Sequence, residues 1–210
     1  MVSAALMAAS TAAIAVPIPI NENFDDISTL GASGWSMVNN SSPAGETGWF
    51  QGNSGVFEAQ SGAADSYIAA NFLNAGFGGT IDNWLITPTV QLFGYADLSF
   101  STRSGGAFPD ALEVYFNETG SINPADFVLL GSLPLGSYPL DWTTINLQYT
   151  GSVDASFAFR YHVENTAENG DYIGIDSVQV KAVPEPEVLS LFALGLLLTP
   201  LAMRRRRARA

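Results

Sequence analysis

Between Asn21 and Val183 the chain alternates apolar and polar residues in short runs, and glycine, asparagine, serine or proline closes each run. Leu98 and Phe100 share one face; Leu112, Val114 and Phe116 share another. Ile145, Leu147 and Tyr149, and then Phe157, Phe159, Tyr161 and Val163, repeat the pattern. A period of two puts one side of a strand against a core and the other in water. The pattern predicts strands at Gly55–Gln60, Ser66–Phe72, Asn83–Leu92, Ala96–Arg103, Ala111–Asn117, Phe127–Leu133, Trp142–Tyr149, Ser156–Glu164 and Tyr172–Val183. No helical period separates them. The expectation is all-β: an antiparallel β-sandwich of the jelly-roll kind. Ser104-Gly105-Gly106 and Gly76-Phe77-Gly78-Gly79 read as turns, since no helix follows to offer its N-terminus to a phosphate.

The pattern changes at both ends. Residues 1 to 15 are small and apolar and read as a signal peptide, with Ala13-Ile14-Ala15 as the peptidase site and residues 16–182 as the exported body. The basic n-region is missing, which points to a start codon assigned too late. After Val183-Pro184-Glu185-Pro186 comes an uncharged run, Val188 to Met203, and then Arg204, Arg205, Arg206 and Arg207. Sixteen residues at ~1.5 Å each make a helix of about 24 Å, short for a hydrocarbon core of about 30 Å. The arginines resist transfer and would hold the far end in the cytoplasm.

In this order, motif, short transmembrane helix and arginine cluster, residues 183–210 resemble the PEP-CTERM sorting signal of Gram-negative bacteria. That resemblance implies exosortase as partner, removal of the tail near the motif, and passage through the inner membrane to the cell surface or extracellular matrix. The Leu-Pro-x-Thr-Gly sequence of the Gram-positive sortase route is absent. The alternative is a permanent C-terminal anchor that nothing cleaves.

Charge narrows the partners. The whole chain has a formal net charge of -12. Five of its eight basic residues and two of its twenty acidic ones lie in the tail, so the body carries 18 acids against Arg103, Arg160 and Lys181, a net of -15. Such a surface repels nucleic acid and anionic lipid and favours divalent cations. Cysteine is absent, which excludes disulfides, thiolate metal sites and cysteine catalysis.

Phe24-Asp25-Asp26, Gly34-Trp35, Thr47-Gly48-Trp49, Trp84-Leu85-Ile86-Thr87-Pro88, Leu98-Ser99-Phe100 and Ile173-Gly174-Ile175-Asp176-Ser177-Val178 follow in an order similar to the choice-of-anchor J domain. That family is a relative of the cleaved-adhesin and MAM-like jelly rolls. The similarity runs from Asn21 to Val180 and implies a secreted binding or surface domain, not an enzyme.

Candidate chemistry follows from the same residues. Adjacent first and last strands would bring Glu22, Asp25 and Asp176 within reach of one ion, and oxygen ligands without His or Cys suit calcium. Solvated turn residues are the plainer account of the three. Asp82 is a second ion candidate or a turn cap; Asp110, Glu113 and Glu118 read as solvated. Trp49 and Trp142, beside glycine and aspartate, are candidates for stacking on sugars of an extracellular polysaccharide. That makes a carbohydrate-binding module the alternative to a structural or adhesive domain. Trp35 and Trp84 read as core. His162, the one histidine, sits on the wet side of its strand, and no Gly-x-Ser-x-Gly elbow exists, so a hydrolytic triad has no support. A glycoside hydrolase would need only two facing carboxylates, and 18 acids make such a pair inevitable without making it evidence.

Overall fold

The computed structural model describes residues 20–92, 94–152 and 154–183; the expected leader and the tail from Pro184 lie outside them. Thirteen strands form: β1 (Ile20–Glu22), β2 (Ser36–Asn39), β3 (Ser42–Ala44), β4 (Phe50–Gln51), β5 (Ile68–Asn71), β6 (Ala75–Ile86), β7 (Val90–Gln91), β8 (Tyr95–Ser104), β9 (Leu112–Asn117), β10 (Val128–Leu133), β11 (Thr143–Thr150), β12 (Asp154–Val163) and β13 (Tyr172–Ala182). The only helical pieces among the described residues are three short 3-10 turns, capped by the side chains of Asp26, Asn71 and Asn123. None is long and apolar enough to cross a membrane.

The strands pair antiparallel in two sheets. Sheet A runs β11-β8-β13-β5-β4 with β1 added on β13; sheet B runs β10-β9-β12-β6-β2 with β3 on β6 and β7 on β12. The sandwich is therefore as expected, and the first and last strands do lie side by side, Glu22 opposite Val178. The alternating residues fill the space between the sheets. Phe100 meets Phe159 edge-on at 4.9 Å, and Tyr149 packs edge-on against both Phe116 and Phe157. Trp35 and Trp49 belong to this core.

Two predicted strands are corrected. Gly55–Gln60 is not a strand but part of a loop, residues 52–66, folded over the outer face of sheet A. The segment from Asn83 to Leu92 is broken at Thr87-Pro88, because proline has no N–H for the ladder. The glycine stretch read as a turn, Gly76 to Gly79, lies inside β6, where an irregular register lets it pair with β3.

Each outer face carries its own small aromatic cluster. On sheet A, Tyr172 and Gly174 point away from the main core while Ile173 and Ile175 point into it. The loop drops Phe57 onto this face. Phe57 stacks on Tyr67 at 5.1 Å and meets Tyr172 and Trp142 edge-on at 5.2 and 5.5 Å, and the Arg103 guanidinium lies 4.3 Å from its ring centre. A methyl at Gly174 would sit 2.9 Å from Phe57 and Tyr67 and 3.0 Å from Trp142, so this position needs glycine for its neighbours' sake. The Tyr67 and Tyr172 hydroxyls pin the loop through the backbone of Asn53 and Phe57.

On sheet B, Trp84, Ile86, Phe127 and Ala158 pack with Val38 and Tyr115. Arg160 bridges Asp82 (2.6 Å) and Glu113 (2.8 Å) across the strands and lies over the Trp84 ring. Burial alone would lower the Arg160 pKa, but the two carboxylates hold it above its ordinary value.

Candidate functional site

The loop 52–66 also covers the end of sheet A that holds Asp176. The Asp176 carboxylate is fully buried and accepts N–H bonds from Ser61 (3.0 Å) and Ser177 (2.5 Å). Among the described residues no cation pairs with it. Burial pushes its pKa up despite these bonds. Asp25 approaches the same loop from the other side: a Cβ on Gly62, which has φ +86°, would lie 3.2 Å from Asp25 Oδ1. Glu22 turns instead to its own turn and accepts the Phe24 N–H at 2.8 Å.

Two non-glycine residues flanking these carboxylates, Phe24 (φ 55°) and Ser177 (φ 53°), hold left-handed backbone that costs about 1–3 kcal/mol each. Gln51 helps to hold the first, donating to the Phe24 carbonyl at 2.8 Å and accepting the Ile27 N–H. The structure thus brings Asp25 and Asp176 to one loop but leaves Glu22 out. Among the described residues no three His, Cys, Asp or Glu side chains gather closely enough to hold a metal ion.

The other expected site residues fall as follows. Trp49 is corrected: it is 6% exposed inside the main core and has no ring face for a sugar. Trp142 is half-buried in the Phe57 cluster, with its indole N–H spent on the Glu58 carbonyl at 2.8 Å. Neither forms an open platform. Of the three acids expected to be solvated, Glu118 is exposed, Glu113 is half-buried, and Asp110 is corrected. Asp110 is buried, accepting from Ser104 Oγ (2.5 Å), Tyr161 Oη (2.6 Å) and the Asp171 N–H (2.8 Å), and burial raises its pKa. Glu113 binds Arg160 and Tyr115; Glu118 accepts from Tyr149 Oη and the Ser152 N–H. Asp82 lies within β6 rather than capping a turn, and its Oδ1 accepts from Arg160 and from the Trp84 indole. His162 donates Nδ1–H to the Ile81 carbonyl at 3.0 Å.

Two concavities stand out among the described residues. One, about 230 Å³, opens at the sandwich end between the loops around Phe108 and Leu140, with Ser104, Asp110 and Tyr138 at its base. Those three are already bonded: Ser104 to Asp110 and the Gly106 N–H, Tyr138 to Thr102. The other is a groove of about 500 Å³ along the edge where β1 meets the turn before Trp35, β7 and the start of β12. Its apolar wall is Ile20, Trp35, Pro88 and Val90. Its polar side chains are Asn21, Glu22, Ser33, Thr89, Gln91 and Asp154. The six come from four separate segments of the chain: β1, the turn before Trp35, the segment of β7 and the start of β12.

No protein-family model matches this sequence, and no curated protein matches it. Solved structures do share the fold. The chain is similar to the K1 cleaved adhesin domain of Lys-gingipain from Porphyromonas gingivalis, at 20% identity and TM-score 0.60, over 80% of this chain and 99% of that domain. The K3 domain of the same protein gives 18% and 0.58 over 78% of this chain and 98% of the domain, and the K2 domain 17% and 0.56 over 79% and 98%. At these identities the likeness is one of fold: the body is an antiparallel sandwich of the cleaved-adhesin kind.

Proposed function

We infer that the chain is an exported surface protein of a Gram-negative bacterium. Its sandwich serves as an adhesive or structural domain outside the cell, and residues 183–210 are a sorting signal read by exosortase. The observation that carries this reading is the order of the tail: Val183-Pro184-Glu185-Pro186, an uncharged run from Val188 to Met203, then Arg204 to Arg207. The sandwich ends where that order begins. Ala182 is the last residue of β13, and the Val183 N–H closes on the Tyr95 carbonyl at 3.0 Å. An apolar run shorter than a bilayer's core suits brief residence in the inner membrane better than lasting anchorage. The adhesin-like fold of the body supports the surface role.

Calcium belongs to the same proposal as a stiffener of the sandwich. Asp25 and Asp176 would hold it against the 60–62 segment of the loop, where a buried carboxylate without a cation and two left-handed residues sit together. Glu22 has no part in that set. The body works by binding, without a catalytic residue.

Intact mass of the protein from a host with exosortase, and from the same host without it, tests the sorting reading. The expected result is loss of the mass beyond the region of Pro184 only when exosortase is present. Full-length protein in the membrane fraction of both strains overturns it.

A further inference from the structure

We propose that the 500 Å³ edge groove binds a short stretch of an uncharged saccharide, with Asp154 and Gln91 as its principal polar contacts. The inference rests on the reading of the body as a surface adhesive domain and names a ligand class and a site for it. The groove's size falls in the usual range for small-ligand sites.

The groove gathers in one place polar side chains that have no partner among the described residues. Elsewhere many Asn, Asp and Thr side chains are consumed in turns and loop ties, such as Asp26 on Ser28, Asn53 on Gly55 and Asn117 on Thr119. In the groove, the side chains of Asn21, Ser33, Thr89, Gln91 and Asp154 make no hydrogen bond to any described residue, and one oxygen of Glu22 is also unused. The smaller cavity beside Asp110 is the control within the same structure. Its polar groups are already bonded to one another, so they hold the fold and have little left to offer a ligand.

The chemistry of the free groups selects the ligand. Asp154 stands opposite Gln91 where β12 meets β7, so a carboxylate and an amide project from neighbouring strands at one edge. A carboxylate accepts from two hydroxyls at once, and the amide adds both a donor and an acceptor. No lysine or arginine lines the groove. With Glu22 and Asp154 there and a body charge of -15, a sulfated or uronic acid sugar meets repulsion with nothing to offset it. Pro88, half-buried, offers an apolar surface to the C–H face of a sugar ring, while Ile20, Trp35 and Val90 are buried core residues that only border the groove.

Titration calorimetry of the full-length chain, held in a zwitterionic detergent so that no detergent sugar competes, tests this. The probes are a panel of neutral hexose and pentose tetrasaccharides, with tetragalacturonate as the anionic comparison. The wild type is expected to bind at least one neutral member, and tetragalacturonate at least about tenfold more weakly. Asp154→Ala and Gln91→Ala are each expected to weaken binding about tenfold, the loss of a hydrogen-bonding group to a ligand hydroxyl. Neither substitution touches Asp25 or Asp176, and unchanged thermal melting would show that both variants fold. Three results overturn the proposal: no heat with any neutral saccharide, equal binding by the variants, or preference for the uronate. A chain whose tail exosortase removes but which binds no saccharide refutes the groove alone. A chain kept full-length in the membrane but binding through Asp154 refutes the sorting reading alone.

Discussion

Replacing Phe57 by alanine tests whether the 52–66 loop is part of the fold or an ornament on it. Phe57 is only 7% exposed, although it comes from a loop composed chiefly of small and polar residues. Its ring touches three others and lies under the Arg103 guanidinium. Taking a phenylalanine of this burial from water contributes about 2–3 kcal/mol, and its aromatic contacts add about 0.5–1.5 kcal/mol apiece. The void left behind raises the cost, and phenylalanine-to-alanine changes in cores span about 3–5 kcal/mol. The loop is glycine-rich and free to settle into the gap, so the lower end applies, about 3 kcal/mol. For a body of this size that lowers Tm by about 6–12 °C. Urea unfolding measures the free energy, and Trp142 emission reports the local change, because the indole loses its edge-on partner and gains water. Phe57→Leu restores much of the volume and should recover more than half of the loss. A deficit below about 1 kcal/mol, or Trp142 emission the same in Phe57→Ala and wild type, would refute the claim that this ring holds the loop down.

Two further outcomes follow from the buried carboxylates. If calcium binds at Asp25 and Asp176, adding it at about 100 times its Kd should stabilise the chain by about 2.7 kcal/mol over the chain in chelator, and Asp176→Asn should abolish the difference; identical melting with calcium and with chelator ends that proposal. Asp110 and Asp176 both have folded pKa values raised by burial, so the native state keeps protons that the unfolded chain has released, and stability falls as pH rises from the ordinary carboxylate range through the raised values. Asp26 and Glu118 are shifted down by their hydrogen bonds, so their contribution disappears as pH falls through their folded values, leaving a maximum between the two effects. Urea midpoints against pH check this: Asp110→Asn should be less stable throughout but flatter above the maximum, and an unchanged slope would count against Asp110 as its source.

The strands that a sequence reveals are those whose two faces differ. β8, β9, β11, β12 and β13 put apolar residues inward at every second position, and all five were legible with bounds close to those observed. β6 begins in glycines that read as a turn because their use lies in another segment: a methyl at Gly76 or Gly79 would come within 2.9 or 2.7 Å of Pro43. Phe57 resembled a strand residue, but what buries it is distant in sequence: Tyr67, Arg103, Trp142 and Tyr172. Asp110 followed a proline and looked solvated, but its side-chain partners Ser104 and Tyr161 stand 6 and 51 residues away. Trp49 was misplaced for the same reason. A neighbouring glycine suggests a loop, and only the pairing of β4 with β5 carries the indole into the core. The groove had no local signal at all, since its polar residues come from four segments with unremarkable sequences.

The two outer clusters bear on where such a sandwich can take a ligand. A bare sheet face would offer a broad, shallow surface. On sheet A that face lies under the Phe57 loop. On sheet B it is closed by Arg160, whose charge is satisfied by Asp82 and Glu113 and whose guanidinium roofs Trp84. To bind on either face a ligand would have to displace groups that already have partners, so its own contacts would start from a deficit. At the β1–β7 edge the side chains of Asn21, Ser33, Thr89, Gln91 and Asp154 have no hydrogen-bond partner among the described residues, so a hydroxylated ligand need displace only solvent. Recognition at the edge and rigidity on the faces are therefore consequences of one distribution of hydrogen bonds.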